Sequence, residues 1–188
     1  MDLDYDMEPR RFTPDDPHVE QRMARLRELN LESRPYRDFD ELAAELANAA
    51  GAPDGYAMVN FIGRTEQYFA GLYTPGAPNS GQASAVVASA EPGRTMDRDH
   101  GFCPHVVVRR KALVLEDVCE YPRFAGNPVV DELGIRSYLG APLMDRNGIA
   151  LGTICVVATE PHPWGHQGLA TVKSMADRVV AHIHRGFR

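Results

Sequence analysis

The residues of this chain with the most chemistry to offer are three cysteines and seven histidines, and their spacing limits what they can do. Cys103, Cys119 and Cys155 lack Cys-x-x-Cys spacing and are too few and too odd in number for a disulfide framework, so they read as reduced thiols of a reducing compartment. No His-Glu-x-x-His set occurs, and His182 and His184, two residues apart, point about 200° from each other on a helix and cannot chelate one ion. No metal site is expected. Cys103-Pro104-His105 places a thiol and an imidazole in one expected helical turn. Cys103 is either a pocket thiol that senses an oxidant or electrophile, its pKa lowered by the start of a helix, or a small buried apolar side chain. His105 either hydrogen-bonds a ligand and switches with pH or is satisfied by backbone. Asp117, just after an apolar strand, is either an acceptor for a cationic group or the cap of the next turn. Phe61, Phe124 and Tyr138 supply aromatic walls, as do Tyr68 and Phe69, of which strand alternation lets only one face a pocket. The candidate ligand-binding residues are thus Phe61, Cys103, His105, Asp117, Phe124 and Tyr138, with no catalytic residue assigned. Cys155, mid-strand between Ile154 and Val156, reads as core, and Trp164 as a packing anchor.

The elements that must position these residues follow from periodicity. Residues 1–16 carry six acids and few apolar anchors and read as a mobile arm. A helix is expected over 17–34, with Val19, Met23, Leu26 and Leu29 inward and Glu20, Arg22, Arg25 and Arg27 facing elsewhere. A second helix starts at the Asp38-x-x-Glu41 pattern, carries Phe39, Leu42, Ala43, Leu46 and Ala50 on one face, and stops at Gly51 and Pro53. Strands are expected over Tyr56–Ile62 and Gln67–Tyr73, joined by a turn at 63–66. Residues 74–94, rich in Gly, Pro, Ser and Ala, read as a lid whose ordering, out to residue 100, would switch with ligand. Gly101–Arg110 is expected to hold a helical turn or two, Ala112–Leu115 a short strand, and 117–133 short turns broken by Pro122, Gly126 and Pro128. Arg136–Ala158 reads as two long strands around Asp145-Arg146-Asn147-Gly148, where Asn-Gly supplies positive φ, and Pro142 signals an edge or a bulge. The last helix, 164–186, repeats Leu169, Val172, Met175, Ala176, Val179, Val180 and Ile183, a broad face that can cover the sheet and also meet the first helix or a second copy of the chain.

Composition narrows the function classes. A chain of 188 residues, 44% of them hydrophobic, is expected to form one domain over 17–188 with an ordinary core. No apolar run approaches the roughly 20 residues that span a bilayer, so no membrane association is expected and a cytoplasmic location is. A net charge of −6, with no basic run longer than Arg109-Arg110-Lys111, gives no footprint for phosphate backbones, and no nucleic-acid partner is expected.

Several segments, in order, carry a resemblance: RLRELNL, FDELAAELA and GYAMVNFI, then QYFAGLY, GFCPHVVV, LVLEDV with PRFAGNPVV, and the hairpin YLGAPL followed by GIALGTICV. Together they resemble GAF domains over roughly residues 20–185. The resemblance implies an α+β fold: a six-stranded antiparallel sheet with the N- and C-terminal helices on one face and loops and short helices over the ligand face. It implies a non-catalytic sensory or regulatory domain that binds a small molecule between sheet and lid, forms a homodimer through its terminal helices, and signals to a partner protein. It leaves the ligand or cofactor unknown. The alternative is a thiol-dependent enzyme like the free methionine-R-sulfoxide reductases, which resemble this chain at Cys103. Their other two cysteines would fall at Gly93 and Asn127, so the thiol pattern is incomplete.

Overall fold

Period-two alternation in four long strands produces a sheet whose two faces are covered by different things. The computed structural model describes residues 13–31, 33–76 and 93–186. Its strands are β1 (Tyr56–Ile62), β2 (Glu66–Tyr73), β3 (Thr95–Asp97), β4 (Leu113–Leu115), β5 (Ser137–Met144) and β6 (Ala150–Ala158). They form one antiparallel sheet in the order β3-β2-β1-β6-β5-β4. The helices are α1 (Val19–Glu28), α2 (Arg37–Ala49), α3 (Cys103–Arg109), α4 (Pro122–Ala125), α5 (Pro128–Leu133) and α6 (Gly165–Arg185), with a 3-10 turn at Val118–Glu120. The expected α+β class and six-stranded sheet are present.

One face of the sheet packs on α2 and α6. Phe39, Leu46, Val172 and Val179, all without exposed surface, meet Val59, Leu139, Ile154 and Val156 from the strands. Burying each such side chain contributes about 1.5–3 kcal/mol. The other face, under α3, α4 and α5, buries Met58, Ile62, Phe69, Phe102, Val106, Leu115 and Tyr138. β2 reaches both faces in correct register because a bulge interrupts its pairing: Val59 faces Gly71 and Asn60 faces Phe69, so Ala70 is the extra residue. Pro142 lies beyond the last residue of β5 that β4 pairs, Gly140, and a second bulge follows it, as proline in a strand requires an edge or a bulge.

The structure corrects several expectations. A strand, β3, stands just after the expected lid, where ligand-linked ordering out to residue 100 was expected; three residues are too few for alternation to show. Residues 77–92 of that segment, and residues 1–12 of the expected arm, lie outside the described residues. Asp16, placed in the arm by sequence, is packed: its buried carboxylate accepts from Arg98 at 2.9 Å and pairs with Arg22. Arg22 was expected to face outward but is 1% exposed, its Nε donating to the Ile62 carbonyl at 2.9 Å. The N-cap of α2 is Tyr36, not Asp38. Asp40 of that helix instead accepts from the Leu72 amide at 2.8 Å. In the closing hairpin only Gly148, at φ 74°, takes positive φ, so Asn147 does not and the turn is a type I with a bulge glycine. α6 packs chiefly on β5, α2 and β6. No helix among the described residues is long and apolar enough to cross a membrane.

Candidate functional site

Met58 and Asn60 of β1, Gln67 and Phe69 of β2, Tyr138 of β5 and Cys155 of β6 all point to the face under α3 and α5. There they leave a cavity of about 60 Å³ that is also lined by Cys103, Met96, Phe102 and Ile135. The approach to it is set by glycines. Gly101, at φ 77°, turns the chain into α3 and is gripped by Asn127, which accepts from the Gly101 amide at 2.9 Å and donates to its carbonyl at 2.8 Å. The same Asn127 oxygen caps α5 by accepting from the Val129 amide at 3.2 Å. Tyr138 lies back along β5 over Gly140: a Cβ there would sit 2.2 Å from the phenol oxygen, so only glycine leaves room.

That orientation brings the Tyr138 hydroxyl to 3.2 Å from the Cys103 sulfur, which in turn lies 3.6 Å from the sulfur of Cys155. All three side chains are buried. The hydrogen bond with Cys155 is the largest influence on the Cys103 thiol; with help from Thr153, Tyr138 and Asn60 it outweighs burial and holds the pKa down to about 7. Cys155 is pushed well above its usual range by the same bond and by burial. Burial first, and the neighbouring thiols second, keep Tyr138 protonated. A polar chain runs across β1 and β2. Gln67 donates to the carbonyls of Asp97 at 3.0 Å and His100 at 2.7 Å, so its own oxygen must accept, which it does from Asn60 Nδ2 at 2.8 Å. This fixes the Asn60 amide and leaves its Oδ1, on a residue 1% exposed, with no hydrogen-bond partner.

Of the six residues picked from sequence, Cys103 and Tyr138 line the cavity together. Phe61 does not: it is on the helix face, edge-on to Phe39 with ring centroids 6.1 Å apart, and borders an open groove of about 730 Å³ between α1 and the β1–β2 turn. His105 and Phe124 pack edge-on with centroids 5.0 Å apart, behind the cavity wall rather than in it. Asp117 is the cap: it accepts from the Cys119 amide at 3.1 Å and pairs with Arg136 at 2.8 Å, and Arg136 holds its carboxyl below the usual range. Phe69 faces the cavity while Tyr68 packs on the helix side, as alternation requires. Asn60, Gln67 and Asn127 were missed; the signal for the first was an amide in the otherwise apolar run of β1. Among the described residues no group of three or more His, Cys, Asp or Glu side chains could hold a metal.

Comparison with known proteins places this arrangement. The model of the GAF domain family matches residues 37–183. A cyclic di-GMP phosphodiesterase of Pseudomonas aeruginosa is 36% identical over 93 residues, which cover 48% of this chain and 16% of that protein. Among solved structures, the GAF domain from an Acinetobacter phosphoenolpyruvate-protein phosphotransferase superposes with a TM-score of 0.56 at 14% identity, covering 92% of this chain and 95% of that one. The type II free methionine-R-sulfoxide reductase from Thermoplasma acidophilum gives a TM-score of 0.57 at 13% identity, covering 85% and 97% respectively. At these identities the structural matches speak for the fold alone.

Proposed function

This chain belongs to the GAF domain family, and from that premise we propose that it is a non-catalytic sensory or regulatory domain that takes a small uncharged molecule into the cavity and signals its presence through α1 and α6 to a partner protein. The observation that carries the reading is the chemistry of the cavity wall. It is almost wholly apolar, holds no carboxylate, ammonium, guanidinium or imidazole, and includes Asn60, whose buried Oδ1 has no hydrogen-bond partner. A charged ligand entering there would lose hydration worth several kcal/mol without a counter-charge, whereas an apolar one with a single donor would satisfy the amide. The volume is below the ~150 Å³ that holds benzene, so the occupant has few heavy atoms unless the flexible Met58 and Met96 side chains move aside.

A route to the terminal helices supports the signalling half of the proposal. Tyr138 and Cys155 face the cavity, and their strand neighbours Leu139, Ile154 and Val156 face the helix-side core. At the end of the same hairpin Asp145 accepts from Arg25 of α1 at 2.5 Å and lies 2.8 Å from His184 Nε2 of α6. A shift of the hairpin would therefore be felt at both helices. The proposal includes a cytoplasmic location and a homodimer contact over the half-buried Leu169 and Val180 of α6; sedimentation that returns only the monomer mass removes the dimer.

Sulfoxide reduction is disfavoured because free methionine sulfoxide is a zwitterion, because glycine and asparagine stand where that chemistry needs thiols, and because Asn127 has a structural task instead. The phosphodiesterase activity named for the Pseudomonas relative is not carried over, since the match spans 16% of that protein. Calorimetric titration with isobutanol and isopropanol, against isobutyrate and isobutylammonium, tests the proposal. The uncharged pair should bind, the charged pair should not, and the cavity-filling Ile135→Phe variant should bind neither. Absence of binding by either neutral probe, or equal binding of the charged ones, contradicts it.

A further inference from the structure

Two thiols meet at the cavity wall, and ligand binding makes no use of them as a pair. Cys103 enters from α3 and Cys155 from β6, with sulfurs 3.6 Å apart, and both line the cavity. A space of about 60 Å³ without ionic side chains admits an oxidant not much larger than water, whose share of liquid volume is about 30 Å³, and turns away the larger, charged glutathione disulfide. We infer that Cys103 and Cys155 form a reversible intrachain disulfide in response to hydrogen peroxide or a comparably small hydroperoxide, an inference that rests on the cavity being open to small neutral molecules as proposed above.

The roles of the two sulfurs are unequal. Cys103 is the attacking thiolate, held down to about 7 chiefly by the hydrogen bond it shares with Cys155. Its sulfur attacks one peroxide oxygen, the O–O bond breaks, and the departing hydroxide takes up a proton to become water, leaving Cys103 as the sulfenic acid. The Cys155 sulfur then attacks the Cys103 sulfur. The S–S bond forms, the S–O bond breaks, and the hydroxide leaves with the Cys155 proton as a second water. Two thiols are oxidised by two electrons and one peroxide is reduced to two waters; a thiol reductant reverses the state. Closing the sulfurs to about 2.05 Å draws α3 toward β6, the strand that also packs against the helix-side core.

The test uses the full chain carrying Cys119→Ser, which removes the exposed thiol. After reduction it is treated with hydrogen peroxide, unfolded in the presence of an alkylating agent and digested. The expected product is a linked Cys103–Cys155 peptide pair two hydrogens lighter than the separate peptides. Its rate of formation should fall about tenfold per pH unit below the Cys103 pKa, as the thiolate fraction does. Oxidised glutathione should not produce it. Cys155→Ala, or Cys155→Ser should the smaller side chain fail to fold, should stop at a sulfenic acid trapped when dimedone is present during unfolding, and Cys103→Ser should give neither product. Buried thiols that stay reduced under peroxide, or that link no faster in the folded chain than in urea, overturn the inference. If isobutanol still binds while no disulfide forms, the redox inference falls alone; if both fail, the cavity reading falls with it.

Discussion

The two faces of one sheet are built from the same strands and solve opposite problems. On the helix side every inward residue of β1 is apolar, Ala57, Val59 and Phe61, and α2 and α6 close over them. On the other side the same strand offers Met58, Asn60 and Ile62, and its partners add Gln67, Thr153 and Cys155. Burying these polar groups is costly unless each finds a partner. Gln67 is fully engaged, Asn60 half engaged, and the thiols engage one another. The helix face maximises packing, while the loop face gives up packing to keep a small polar-edged space. Stability should therefore reside mainly on one side and chemistry on the other.

The largest test of that division is Phe39→Ala. Phe39 has no exposed surface and contacts both Tyr36 and Phe61, so its loss should reduce unfolding free energy by about 3–5 kcal/mol in urea titrations; a loss as small as that of a cavity-lining residue would erase the contrast. Asn127→Ala comes next. It removes the α5 cap and the clamp on Gly101, and should cost about 1–2 kcal/mol while raising hydrogen exchange in α3 and α5 but not in α2. Tyr138→Phe should cost about 1 kcal/mol, and its clearer effect is chemical. Without the phenol the Cys103 thiol should titrate above about 7, read by the pH dependence of its alkylation. The smallest effect belongs to Asp117→Asn. Because Arg136 holds the Asp117 carboxyl low, its contribution is complete above the unfolded value of about 4 and is lost as pH falls through the lower folded value. The variant should lower the urea midpoint slightly at neutral pH and converge with wild type in strong acid.

Much of the frame was legible in the sequence for a physical reason: long apolar, β-branched runs bounded by turn residues, and apolar helix stripes, leave patterns that few other structures produce. β1 begins and ends at Tyr56 and Ile62 as expected, and β5 and β6 lie within the expected hairpin. What alternation cannot state is which parity of a strand faces which cover. Phe61 was therefore assigned to the ligand side when the packing of Phe39 puts it on the other. Arg22 misled in the same way: a long side chain with a buried carboxylate and a carbonyl in reach can occupy an inward position that its charge argues against. Cys103 and Tyr138 were found because thiol and phenol chemistry singles them out. Asn60 and Gln67 were not, since an amide facing a cavity and one facing solvent look alike until the opposite strand is in place.

Xenon, neutral and apolar, probes the open space most directly. With the methionine methyls labelled for NMR, Met58 and Met96 line the cavity and Met175 lies in the helix-side core. Under xenon pressure the first two signals should shift in a saturable way while Met175 stays in place. If Met58 and Met96 do not respond, or if Met175 responds as strongly, the loop face is as closed as the helix face and the account fails.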